Sequence, residues 1–133
     1  MKGTSLTLLA NPRLEATVAT TFDVVAWEME LAAARCLMLD AMLGRVMGLL
    51  SPQQQAEFRD GMHTVDLLSQ QLTGLSSFAR KMSEKVPADV SAQVDEALGG
   101  ITLGALADRM TVALGGDEKG INDGEAAGDV DLF

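Results

Sequence analysis

The chain has 133 residues and a formal net charge of −9, long enough for one domain with its own core. The acidity argues against nucleic acid, whose phosphates call for clustered Lys and Arg, and against an anionic membrane surface. Aromatic residues are scarce (four Phe, one Trp, no Tyr), so Ala, Leu and Met must fill the interior, which favours helices over sheets.

Residues 1–15 form an irregular lead-in broken by Pro12. They lack the apolar core and small-residue cleavage site of a secretory signal, and a cytoplasmic location is expected. A long helix follows from Ala16 to Leu50. Its longest apolar run is interrupted by Glu28, Glu30, Arg35, Asp40 and Arg45, so it does not read as a membrane span. The charges fall around several sides, and a helix apolar nearly all round has to be buried on more than one face. The lone cysteine, Cys36, reads as a small buried hydrophobe. Trp27 reads as a core or interface anchor. Met29, Met38, Met42, Met47, Met62, Met82 and Met110 read as adaptable core filler.

Ser51-Pro52-Gln53-Gln54 is a strong helix start: Ser51 can cap, Pro52 suits the first helical position, and Gln54 stands where a capping box needs its partner. The second helix runs to Val86 and stops at Pro87. In it Val65, Leu68, Leu72, Leu75, Ala79, Met82 and Val86 alternate by three and four, a coiled-coil-like seam. The near-absent turn predicts an antiparallel hairpin. Two short helices are expected at Ala88 to Leu98 and Thr102 to Leu114, each closed by a glycine pair. No strand pattern is evident. The fold class expected is all-α: a long-helix hairpin plus two short helices over residues 16–114, with two copies joining their hairpins into a four-helix bundle. A compact monomeric bundle is the simpler alternative.

Residues 115–133 read GGDEKGINDGEAAGDVDLF, with six acids and one base, so they carry −5 of the net −9 and leave −4 on the body. Such a stretch predicts a solvated, disordered spacer. Its tip is unusual, because Val130, Leu132 and Phe133 would have nothing nearby to pack against. A tethered docking peptide for a partner protein accounts for them.

On a helical wheel Arg59, His63, Asp66, Gln70, Thr73 and Ser77 fall in one stripe roughly opposite the seam. The water-facing side of any amphipathic helix would look the same. Asp66 and Gln70 are four apart and therefore neighbours. A Gln amide has no titratable group, but it can hold a water by donating and accepting at once. Water-positioning glutamines serve phosphoryl hydrolysis, where the attacking water must lie in line with the leaving oxygen. Small neighbours, Gly74 and Ser77, would let another protein approach closely. His63 is also a candidate phosphotransfer residue, although the Lys and Gly usual shortly after such a His are replaced by Thr64-Val65-Asp66-Leu67. No P-loop, dinucleotide turn or metal-ligand spacing is present.

The run Asp66-Leu67-Leu68-Ser69-Gln70 resembles the helix motif of the CheZ family of chemotaxis phosphatases, with Asp and Gln at the same spacing on a long hairpin. It is similar as well to short alphaproteobacterial chemotaxis regulators with a D-x-L-[ST]-Q run and a Gly-acid-Val-acid-Leu-Phe terminus. The chain departs from CheZ where Leu68-Ser69 replace a Thr-Gly pair and where Gln71-Leu72-Thr73-Gly74 replace basic residues; its hairpin is also shorter. The resemblance implies a homodimeric four-helix bundle acting on a CheY-like response-regulator receiver domain. Gln70 would orient water towards an aspartyl phosphate, and Asp66 would pair with a receiver lysine. Arg59, His63, Thr73 and Ser77 would contact the receiver, and Val130, Leu132 and Phe133 would tether it. Mg²⁺ would sit on the receiver, and this chain would need no cofactor of its own. The other function class is a non-enzymatic dimeric adaptor that recruits a partner through its C-terminal peptide.

Overall fold

The computed structural model describes residues 13–117. In chain order these form β1 (Glu15–Thr17), α1 (Val18–Met47), α2 (Pro52–Lys85), β2 (Ser91–Gln93), α3 (Asp95–Gly99) and α4 (Gly104–Ala113). The long helices α1 and α2 pack against each other as the expected hairpin, and the two short helices follow. The acidic tail beyond residue 117, with Val130, Leu132 and Phe133, lies outside the described residues, as do residues 1–12.

The hairpin's turn forms as its sequence dictates. The Ser51 side chain accepts from the Gln54 backbone N–H at 3.3 Å, the Gln54 Oε1 accepts from the Ser51 N–H at 3.1 Å, and Pro52 opens the helix. The Gln55 amide closes the turn from inside by donating to the carbonyls of Met47 and Leu50. At its other end α1 starts on Thr17, whose hydroxyl accepts from the Thr20 N–H.

The seam of α2 is shifted from the one its leucines suggest. Val65, Leu72 and Val86 are half-buried and Ala79 is buried, but Leu68 and Leu75 are exposed, and Ser69 and Ser76 are buried in their place. Across from them α1 buries Ala26 and Ala33. Small side chains on both faces let the two backbones close up, so the bulky leucines turn outwards. The expectation of a Leu- and Met-filled interior is corrected accordingly: among the described residues no large side chain is fully buried. Met38 and Met42 are exposed, Cys36 is only half-buried, and Trp27 is 55 % exposed, which leaves it an interface residue if it is an anchor at all.

The helix expected over 88–98 is replaced by a strand and one short helix. β2 pairs antiparallel with β1 (Glu15 with Gln93, Ala16 with Ala92, Thr17 with Ser91), extended by Val18 N–H to Val90 O and Val94 N–H to Leu14 O. An isolated helix this short is marginal in water, and the segment pairs with residues 14–18 instead. α3 and α4 then fold back. Val94, Leu98 and Leu114 form a compact cluster with Ala16 and Val24, edged by Leu14, Ile101 and Met110. α4 ends in a Schellman motif: Gly116 N–H bonds Thr111 O, Gly115 N–H bonds Val112 O, and Gly115 takes φ +98°, a conformation glycine adopts without penalty.

Ion pairs of Arg109 and Arg80 tie this end together. The Arg109 guanidinium grips Glu28 with two bonds of 2.7 and 3.1 Å, fixing α4 on α1. The Arg80 guanidinium grips Glu30 with bonds of 2.9 and 3.0 Å, and Ser76 Oγ donates to the same carboxylate at 2.8 Å. Asp23 lies 3.6 Å from Arg80. The hydrogen bonds from Arg80 and Ser76 pull the Glu30 carboxyl down to about 2.

Candidate functional site

All six residues of the polar stripe, Arg59, His63, Asp66, Gln70, Thr73 and Ser77, are exposed on α2. The helix brings Asp66 and Gln70 together directly: Gln70 Nε2 donates to Asp66 Oδ2 at 3.1 Å. That bond fixes the amide's orientation. It occupies one of the two N–H donors and leaves the Gln70 Oε1 lone pairs and one Asp66 oxygen for other groups. Thr73 is less available, because its hydroxyl donates to the Ser69 carbonyl at 2.9 Å. Arg59, His63 and Ser77 stand along the same face.

The pair stands between two sets of interhelical ties. The ties of Glu30 to Ser76 and Arg80, and of Gln55 to Met47, sit at opposite ends of the hairpin. By interpolation Asp66 and Gln70 lie level with residues 36–40 of α1. Exposed apolar side chains surround that level: Leu37 and Met38 on α1, Leu67 and Leu68 on α2. An exposed, oriented amide with an apolar surround can meet another protein and exclude water around one bound solvent molecule.

Helical spacing foresaw the Asp66–Gln70 neighbourhood, but not the groove that runs along the other edge of the hairpin. One part, about 320 Å³, is lined by Val25, Met29, Leu72, Leu106 and Met110, with Arg35 at its far end. A second, about 340 Å³, shares Val25 and Met29 and adds Phe22, Leu75 and Phe78. Leu72 and Leu75 are roughly 120° or more around α2 from the Asp66–Gln70 stripe, at about 100° per residue. The signal for this groove was the excess apolar surface of α1, although which element would border it was not readable.

No helix among the described residues is long and apolar enough to cross a membrane. No curated protein and no solved structure matches the chain. Over residues 15–133 it matches the family described as Domain of unknown function (DUF8776), and it belongs to that family.

Proposed function

We propose that this protein is a cytoplasmic regulator of chemotaxis or two-component signalling that binds a phosphorylated, CheY-like receiver domain and promotes its dephosphorylation. The observation that carries the reading is the exposed Gln70 amide, held by Asp66 on a long helix. With α2 docked beside the receiver's aspartyl phosphate, Gln70 Oε1 accepts one hydrogen of a water and aims its oxygen in line with the leaving carboxylate. Water attacks phosphorus, the receiver's aspartate departs as carboxylate, and inorganic phosphate is released. Mg²⁺ belongs to the receiver in this scheme. The free Asp66 oxygen accepts from a receiver lysine, which orients the complex, and Arg59, His63, Thr73 and Ser77 border the contact. Val130, Leu132 and Phe133 tether the receiver and raise its local concentration.

The protein acts as a homodimer in this proposal. Trp27, Met38 and Met42 recur with helical spacing along the outer side of α1, away from α2, and exposed Leu49 follows in the turn. A second copy laid on this stripe would give a four-helix bundle and leave the Gln70 edge open.

The test is the decay of a phosphorylated receiver domain, with and without the protein. Accelerated decay that disappears in Gln70→Ala supports the phosphatase. A second reading, a dimeric adaptor, draws on the same outer stripe without any need for Gln70. It would be favoured by unchanged decay together with binding that depends on Leu132 and Phe133.

A further inference from the structure

The apolar groove on the α4 edge has a candidate occupant in the chain's own C-terminus. The groove is open and mostly apolar, running from Phe22 past Val25 and Met29 to Arg35, and its charged lining is the Glu28–Arg109 pair and Arg35. Its parts of about 320 and 340 Å³ are at the small end of ligand sites, which span about 300–1,000 Å³. That suits a few side chains of a peptide better than a cofactor. α4 supplies Leu106 and Met110 to one wall, and the tail begins directly after α4. The exit is fixed: Leu114 packs with Val24, and Gly116 fits so closely that an added Cβ would meet Thr111 at 2.7 Å and Leu14 at 3.1 Å. The described chain therefore ends level along α1 with the groove's first residues. The 16 residues from 118 to 133 can span about 50 Å when extended, more than the length of α1 at about 1.5 Å per residue. They end on Val130, Leu132 and Phe133, with Asp129 and Asp131 between and before them, and the groove ends at the cationic Arg35.

We propose that residues 129–133 seat Val130, Leu132 and Phe133 in this groove of their own chain, with Asp129 and Asp131 turned towards Arg35. The groove lies on the opposite edge from Gln70, so the seated tail hides the docking peptide without covering the glutamine. Binding of the peptide to a receiver and to the groove are then mutually exclusive. That regulatory consequence rests on the function proposed above; occupancy of the groove does not.

Methionine-methyl NMR of the full chain tests it with no receiver present. Met29 and Met110 line the groove, whereas Met38 and Met42 are exposed elsewhere and act as internal references. Replacing Leu132→Asp together with Phe133→Asp is expected to move the Met29 and Met110 signals and leave Met38 and Met42 in place. Unmoved Met29 and Met110 signals would overturn the proposal, as would equal movement of all four. Mixing the labelled double variant with unlabelled wild type separates tails in cis and in trans. Return of the wild-type positions would assign the groove to a second copy's tail and overturn the intrachain assignment; their failure to return supports it.

Discussion

Where the chain enters and leaves the hairpin, Val24, Val94, Leu98 and Leu114 are buried together, and Arg109 and Arg80 clamp carboxylates of α1 with paired bonds. Towards the turn the same two helices continue, and among the described residues no further element packs against them. From residue 37 to residue 68 no side chain is buried, while Leu37, Met38, Met42, Val46, Leu49, Leu67 and Leu68 are exposed. Within this arm one carboxylate oxygen of Asp40 is enclosed without a hydrogen-bond partner, a situation that costs about 1–3 kcal/mol. Two helices touching along one narrow stripe cannot hide their remaining apolar faces, whatever their propensity. The braced end is a domain in miniature, whereas the bare arm is a surface built for covering. The Asp66–Gln70 pair stands where the two regions meet.

The largest expected effect lies in the bare arm. Met38→Glu combined with Met42→Glu places two charges on the outer stripe of α1. If a second copy covers that stripe, the dimer's Kd should rise at least about 100-fold, or about 3 kcal/mol. Sedimentation equilibrium reads this as a fall from twice the chain mass to once. A wild-type chain that stays monomeric at high micromolar concentration would contradict the assembly.

At the braced end, Arg109→Met removes two charge-assisted bonds from the largely enclosed Glu28 carboxylate, whose side chain is 13 % exposed. A loss of about 2 kcal/mol in urea unfolding is expected, with faster amide exchange confined to α4. Gly115→Ala forces a Cβ into φ +98° and should cost about 1 kcal/mol, read in the same titration.

The smallest effect concerns pH. Glu30 has its carboxyl pulled from 4.5 to about 2 in the folded state. A depressed carboxyl stabilises the fold above its unfolded value, and that contribution fades as pH falls from about 4.5 towards 2. The Glu30 side chain is 41 % exposed, so screening keeps the effect small. Thermal melts should decline slightly less over this window in Glu30→Gln than in wild type.

The hairpin was legible because its signals are local. The cap at Ser51, Pro52 and Gln54 depends on residues within one turn, and the i, i+4 spacing of Asp66 and Gln70 sufficed to make them neighbours. The seam was only half legible. Alternation by three and four fits two adjacent registers of α2, and the choice depends on what α1 presents. Ala26 and Ala33 selected Ser69 and Ser76 over Leu68 and Leu75. The β ribbon was missed for a similar reason, since residues 91–93 become a strand only because residues 15–17 lie beside them. Glu28 and Glu30 stood out as charges within an apolar helix, and such acids have to find partners. Nothing local named Arg109 or Arg80, which lie 81 and 50 residues away.

The central claim is that Gln70 acts on the bound phosphate, not on binding. The direct measurement is the decay rate of a phosphorylated receiver against increasing concentrations of this protein, for wild type, Gln70→Ala and Asp66→Ala. The account predicts that Gln70→Ala leaves decay at the receiver's own rate at every concentration, while a separate binding titration gives the wild-type Kd. Asp66→Ala should keep an acceleration but need a higher concentration to reach half of it, because it removes the lysine's partner. A Gln70→Ala protein that accelerates decay as fast as wild type would contradict the account.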